Sequence, residues 1–163
     1  MNKFFIILTV LFLFTTSSFA YDYSSTKNIP IRLSITKEIS TKMPIIEGQT
    51  VNFRILKDVN YGNLNLEKNS IVTGRIECII SNGMNGFPAE IILDNFEIPN
   101  IKKSQLISTY SKQGKNKAIW IYPLKVALWP FPFAGIITST IKGGQASIKP
   151  TDVITIYYYP EWE

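Results

Sequence analysis

Residues 29–36 read IPIRLSIT, with Ile29, Ile31, Leu33 and Ile35 at every second position. A period of two is the pattern of a β-strand that buries one face, and the β-branched isoleucines suit a pleated surface. Residues 153–159 form another unbroken run of β-prone side chains, which ends before a proline. The two stretches predict that the chain belongs to the all-β class.

Turn residues separate further runs of this kind along the 163-residue chain. The strongest hairpin loop is 81–86 (SNGMNG), because Asn and Gly tolerate positive φ angles, and a return strand is expected at 89–93. Strands and turns that alternate about every ten residues are typical of barrels and sandwiches. We expect about seven to nine mostly antiparallel strands in a single small barrel or sandwich.

Two local features refine this prediction. The apolar positions shift from odd to even numbers between Leu93 and Phe96, so an extra residue at Asp94-Asn95 is expected to form a β-bulge or a corner. Residues 106–110 and 118–122 are interpreted as one more hairpin. A helical turn is expected only at 126–129, where prolines follow and end it.

The first twenty residues have the pattern of a secretory signal peptide. Lys3 supplies the positive charge, residues 4–14 form the apolar stretch, and Ser18 and Ala20 are the small residues before the cleavage site. An uncleaved membrane anchor is the alternative, although a span needs about 20 apolar residues. The expected organisation is a signal peptide at 1–20, a flexible lead at 21–28 and one β domain at 29–163.

The composition excludes several kinds of active site. The chain has no His and one Cys, so it contains no Ser-His-Asp triad, no His-ligated metal site and no zinc site built on paired cysteines. A single Cys also cannot form a disulfide within one molecule. We predict no catalytic, cofactor-binding or metal-binding residue. Cys78 alternates with Ile76 and Ile80, a pattern that predicts a buried thiol.

The most unusual segment runs from Val126 to Ile141, sixteen residues without a charge. Its prolines and its short length argue against a transmembrane helix. Trp129, Phe131 and Phe133 are candidate anchors for a membrane or for a groove in a partner protein. The alternative is that the segment plugs the open end of a small barrel and belongs to the core. The sequence leaves both interpretations open.

A second candidate surface is basic, in a chain with 17 Lys and Arg against 12 Asp and Glu. Such a patch would attract anionic headgroups or polyanionic glycans. The alternative is that these lysines are the solvated tip of a hairpin. Three arginines in an exported chain give little support to nucleic-acid recognition, so we predict none. The candidate lysines are Lys102, Lys103, Lys112, Lys115 and Lys117.

Paired glycines lie near the end of the chain, at Gly143 and Gly144 beside Lys142. The Gly-Lys-Ser/Thr spacing of a nucleotide-binding loop is missing, so we expect a tight turn before the last strand.

Clustered acids could act as a pair of catalytic carboxylates, as in glycosidases. No pocket signature accompanies them in the sequence. The clustered acids are Asp94 with Glu97, and Glu161 with Glu163.

Residues 66–76 (LEKNSIVTGRI) continue through 86–91 (GFPAEI) as a turn, a strand, a hairpin tip and a return strand. The stretch resembles a segment of exported bacterial β-barrel modules, such as the C-terminal barrel of type IV secretion and conjugation scaffold subunits. That barrel reaches the outer membrane and carries an apolar projection between strands. The resemblance implies a small extracytoplasmic barrel that associates with the envelope, and it implies no catalytic residues.

The preferred hypothesis is an exported, non-enzymatic protein of the cell envelope, in the periplasm or at the inner side of the outer membrane. Its partner would be an envelope protein or a membrane surface, reached through residues 129–141. A periplasmic barrel that binds a small apolar ligand is one alternative, since small barrels can hold a ligand inside. A carboxylate-dependent envelope hydrolase is the other. The sequence predicts no cofactor and leaves the oligomeric state open.

Overall fold

The structure is a computed structural model that describes residues 28–62, 64–131 and 133–160. The predicted signal peptide at 1–20, residues 21–27 of the predicted lead (21–28) and the acid pair Glu161 and Glu163 lie outside the described residues. Within them the fold is mostly β, as expected, with two helices in addition.

The strands and helices follow the chain in this order. The strands are β1 (Ile29–Ile35), β2 (Ile39–Ser40), β3 (Thr50–Ile55), β4 (Val59–Tyr61), β5 (Leu64–Leu66), β6 (Ile71–Ile80), β7 (Glu90–Glu97), β8 (Leu106–Ile107), β9 (Tyr110–Gln113), β10 (Ser147–Ile148) and β11 (Ile154–Tyr158). The helices are α1 (Ala118–Ala127) and α2 (Ala134–Ser139), and single 3-10 turns lie at Met84–Gly86 and Lys103–Gln105.

Seven strands form one antiparallel sheet in the order β8-β11-β1-β3-β6-β7-β9, while β2 pairs with β10 and β4 with β5. The sheet is a curled half-barrel. Its two edge strands, β8 and β9, are joined by only Ser108 and Thr109. Three Cα steps from Ile107 to Tyr110 cover at most about 11 Å, so the curl brings the two edges close together at this point.

One hydrophobic core fills the inner face of the curled sheet. Alternate residues of β1, β3 and β6 point into it, which explains the period of two in the sequence. The rings of Phe53 and Phe96 meet with centroids 5.0 Å apart. Gly74 lies beneath them, where an added Cβ would come within 2.9 Å of the Phe53 ring. The largest fully buried side chains are Phe53, Phe96, Ile31, Leu33, Ile35, Ile55, Ile76, Ile91, Leu93, Ile121, Ile148 and Ile154.

The predicted β-bulge after Leu93 is confirmed. Between the pairs Thr73–Glu97 and Arg75–Asp94, β7 contains one residue more than β6, and Asn95 has a φ of 52°. This insertion moves the core-facing positions to Phe96 in β7 and to Ile98 directly after it, both of which are buried.

A second bulge makes the prediction for Cys78 wrong. Between the pairs Ile76–Leu93 and Cys78–Ile92, β6 contains the extra residue Glu77, so the alternation is displaced by one position. Cys78 is therefore half-buried and Ile80 is exposed.

The predicted hairpin of residues 106–110 with 118–122 is also wrong. The first segment contributes to β8 and the start of β9, at opposite edges of the sheet, and the second is the first half of α1. The side-chain oxygen of Asn116 accepts a hydrogen bond from the Ala118 amide (2.9 Å) at the start of the helix. Ala118 and Ile121, one turn apart, are buried on the same face, so tertiary packing overrides the β propensity of this stretch.

The two ends of the sheet differ. At one end β1 begins and β11 ends, with Ile29 paired to Tyr158. At the opposite end β6 leads into β7 through the turn Met84–Gly86, and both helices pack against that turn. We call this second end the helical end.

Candidate functional site

The segment 118–139, which comprises α1, a turn and α2, exposes most of its large apolar side chains. We call it the helical hairpin. The exposed fraction ranges from 47% for Trp120 to 83% for Trp129. So many exposed large apolar side chains on one segment are unusual on a protein surface unless they contact something. The exposed side chains are Ile119, Trp120, Tyr122, Val126, Trp129, Phe131, Phe133, Ile136 and Ile137.

The three predicted anchors lie at the turn of the helical hairpin. Trp129 and Phe131 belong to the turn, and Phe133 immediately precedes α2. All three rings are exposed, so the alternative that they plug the end of a barrel as core is excluded. The segment is helical on both sides of the turn, whereas the sequence predicted a single helical turn at 126–129. Trp120 and Tyr122 join the patch through α1 and were missed, because their stretch was interpreted as a strand.

A small set of contacts holds the helical hairpin to the sheet. Ile121 is fully buried, and its Cδ1 lies 2.6 Å from where a Cβ of Gly86 would be. The Lys125 ammonium donates to Asn85 Oδ1 (2.5 Å) and to Ser139 Oγ (2.9 Å). These two bonds tie α1 both to the turn Met84–Gly86 and to α2. Because Ile121 and Lys125 both contact that turn, α1 lies along the helical end of the sheet.

Backbone segments that contain four glycines form the base of the helical hairpin. We call Gly86, Gly114, Gly143 and Gly144 the glycine junction. Ala89 N donates to Gly144 O (2.9 Å), Gly144 N to Lys115 O (2.9 Å), and Gly86 N to Ile141 O (2.8 Å). Side chains at the glycine positions would prevent the backbone segments from lying so close together. A Cβ at Gly144 would lie 2.5 Å from Lys115 N, and one at Gly143 would overlap the Phe87 carbonyl oxygen.

The predicted tight turn before the last strand is present, but it lies at Lys149–Asp152, where the Asp152 amide donates to the Lys149 carbonyl (2.9 Å), and it does not include the paired glycines. Neither glycine has a positive φ, and residues 142–146 run between two other backbone segments. The glycines are needed for close contact between backbones. Their pairing partners are distant in the sequence, so no local pattern could reveal them.

The predicted basic residues do not form one patch. The Lys103 ammonium lies 4.0 Å from the carboxylate of Glu97, the last residue of β7. Lys102 is the neighbour of Lys103 in the chain. Lys112 pairs with Ile91 near the start of β7. Ile91 and Glu97 are six residues apart in β7, which corresponds to about 20 Å along the strand.

Lys112, on the edge strand β9, instead links that edge to the loop before β11. We call this contact the seam of the sheet. Its ammonium lies 3.2 Å from Asp152, in the loop before β11. Burial raises the pKa of Asp152, but the hydrogen bond from the Lys149 amide and the charge of Lys112 lower it more. The pKa of this carboxyl therefore lies below its ordinary value of 3.8.

Lys115 and Lys117 lie at the base of the helical hairpin, where Lys142 joins them. Lys117 N donates to Gly86 O (3.0 Å), and Lys142 follows Ile141, which accepts from Gly86 N. Within the described residues, no carboxylate lies within 4.0 Å of these three ammonium groups. Lys142 was not among the predicted basic residues, because it is distant from them in the sequence.

The described acids of the predicted carboxylate pair have other partners. Asp94 accepts hydrogen bonds from Ser108 Oγ (2.6 Å), Thr109 Oγ1 (3.3 Å) and its neighbour's amide. Glu97 contacts Lys103 and accepts from Thr73. Asp94, Ser108 and Thr109 line an open surface cavity of about 360 Å³. In the part of the chain that the structure describes, no group of three or more acidic or Cys side chains could hold a metal ion.

Cys78 has a neighbour that reduces its acidity. Partial burial raises the pKa of the thiol, and the hydrogen bond and charge of Glu47 raise it further. The same carboxylate accepts a hydrogen bond from the Ile79 amide (2.9 Å).

The chain matches no protein-family model, and neither the curated proteins nor the solved structures include a match. None of the helices in residues 28–62, 64–131 and 133–160 is long and apolar enough to cross a membrane.

Proposed function

We propose that this protein is an exported, non-enzymatic component of the cell envelope that attaches to an apolar surface through its helical hairpin. The observation that carries the proposal is the cluster of exposed large apolar side chains between residues 119 and 137. Leaving these side chains in water is unfavourable by about 25 cal/mol for each Å² of apolar surface. A partner that covers them recovers this free energy.

The location rests on the sequence of residues 1–20 and on the resemblance of residues 66–91 to exported barrel modules. Those modules carry an apolar projection between strands, and the helical hairpin of this chain lies between β9 and β10. The protein would then work in the periplasm or at the inner side of the outer membrane.

The interior of the sheet favours this function over the ligand-binding alternative. A small apolar ligand would need the space inside the curl. Phe53 and Phe96 occupy that space, with Gly74 providing the room for their rings. The hydrolase alternative would need an acid and a base held at a cleft, and Asp94 and Glu97 are engaged by hydroxyl groups and a lysine.

The experiment replaces the three anchors together, as Trp129→Ser, Phe131→Ser and Phe133→Ser. Because these side chains are exposed, we expect the melting temperature to change little while the protein moves from the envelope fraction to the soluble fraction. A matched control replaces three exposed apolar residues at the opposite end of the sheet, Ile71, Ile107 and Tyr157, by Ser. The control should stay with the envelope. A folded anchor variant that also stays there would disprove the proposal.

A further inference from the structure

We infer that the surface bound by the helical hairpin is an anionic lipid bilayer, whose headgroups are contacted by Lys115, Lys117 and Lys142. This inference rests on the proposed function and names the partner of the same site. The hairpin would lie in the membrane interface with its aromatic side chains among the upper acyl chains, without crossing the bilayer.

The first argument is the placement of α1. Residues 118, 121 and 125 face the protein, whereas Ile119, Trp120, Tyr122 and Val126 face outward. A short helix held along the end of a sheet presents such side chains as a layer, and an apolar helix face binds a membrane interface in this orientation, parallel to the bilayer plane. Because α1 has 10 residues, it is about 15 Å long, half of the hydrocarbon core at most.

The second argument is the chemistry of the exposed side chains. Trp and Tyr concentrate at the level of the headgroups, where one end of the ring system is apolar and the other is wet. Trp120, Tyr122 and Trp129 are of this type. The more apolar Phe131 and Phe133 share the turn with Trp129 and would enter deepest.

The third argument is the charge around the patch. Residues 98–151 contain eight lysines and no Asp or Glu. Three of these lysines, Lys115, Lys117 and Lys142, flank the helical hairpin at its base. Among the acids at this end of the sheet, Asp152 pairs with Lys112, while Glu38, Glu47 and Glu90 accept hydrogen bonds from neutral groups of the protein. An anionic surface complements this arrangement, whereas a groove in a partner protein needs no such charge.

The experiment measures binding of the purified full chain to sedimenting vesicles of phosphatidylcholine alone and of phosphatidylcholine with phosphatidylglycerol in equal parts. We expect strong preference for the anionic vesicles. A lysine near an anionic surface contributes about fivefold in affinity, so the triple variant Lys115→Gln, Lys117→Gln, Lys142→Gln should bind on the order of a hundredfold more weakly. The matched control, Lys57→Gln, Lys68→Gln, Lys102→Gln, removes the same charge away from the helical hairpin and should bind as the wild type does.

The outcomes separate this inference from the proposed function. Equal binding to both vesicle types, or equal losses in the two lysine variants, would refute the anionic bilayer. Failure to bind any vesicle would refute it as well, and if the anchor variant still left the envelope fraction, the proposed function would stand with a protein partner. If the wild type binds anionic vesicles and the anchor variant does not, both are supported.

Discussion

The inner face of the sheet and the helical hairpin are both rich in large apolar side chains, yet the fold buries those of the sheet and exposes those of the hairpin. In β1 and β3, Ile31, Leu33 and Phe53 are completely buried, while Trp129 and Phe133 in the hairpin are more than two-thirds exposed. Hydrophobicity alone therefore does not assign a residue to the core. What differs is the opposing layer: the curled sheet faces itself across its interior, and nothing in the described chain covers the outer side of the hairpin.

The contrast also concerns how each region is held in place. The core is held by contacts among many buried side chains. The hairpin is attached by Ile121, by the two hydrogen bonds of Lys125 and by a base of closely packed backbone. An element attached in this way can expose apolar surface without weakening the core, because its exposed rings contribute little to folding.

The largest difference between the two regions is expected when one Phe in each is replaced by Ala. Phe53→Ala should lower the free energy of unfolding by about 3–5 kcal/mol, because it removes a fully buried ring and leaves a cavity beside Phe96. Phe133→Ala should change it by less than about 0.5 kcal/mol, since the ring is exposed. Urea denaturation of both variants measures the difference. Similar losses would mean that the hairpin belongs to the core.

A second comparison tests the base of the hairpin against the hairpin itself. Gly143→Ala should cost about 1–3 kcal/mol, because the new methyl group would overlap the Phe87 carbonyl and force the junction apart. Gly135→Ala, within α2, meets nothing within 4 Å and should be neutral or stabilising by about 0.5–1 kcal/mol. Thermal unfolding of the two variants checks this. If Gly143→Ala unfolds at the same temperature as the wild type, the close backbone packing at the glycine junction is not needed for stability.

The smallest expected effect concerns the seam of the sheet. Because the pKa of Asp152 is lowered on folding, its ionised form stabilises the protein above the pKa of the unfolded state, and this contribution is lost as pH falls through the lower folded pKa. At neutral pH, Asp152→Asn should cost about 0.5 kcal/mol, typical of a partly exposed ion pair. The difference from wild type should shrink as the pH falls below 3.8, the ordinary pKa of an Asp carboxyl.

The control for the seam is Glu67→Gln, which removes an exposed carboxylate in the turn before β6. Its effect should be smaller at neutral pH. A difference between wild type and Asp152→Asn that persists unchanged in acid would argue against a role for the ionised carboxyl.

Most of the sheet could be predicted because the signal is local. Alternation at Ile29 to Ile35 reports one buried face, and the displaced alternation at Phe96 reports a bulge, since each inserted residue shifts the parity of those that follow. The bulge at Glu77 could not be predicted because Cys78, Ile79 and Ile80 are all apolar, so apolar side chains occupy both parities and hide the shift. The helix α1 could not be predicted because Ile, Trp and Tyr have β propensity, whereas the contacts that favour the helix, such as burial of Ala118 and Ile121 against Gly86, are tertiary.

The sequence by itself determined that this chain folds as a β protein, that an uncharged aromatic segment precedes its last strands, and that no His-based or paired-Cys site is available. Periodicity, charge and composition are properties of residues near one another in the chain, so they can be read without coordinates. Only the tertiary structure decided that the aromatic segment is exposed, that Lys115 and Lys142 flank it together, and that Gly143 serves close backbone contact. Each of these depends on which distant segments meet, and that is set by the curl of the sheet.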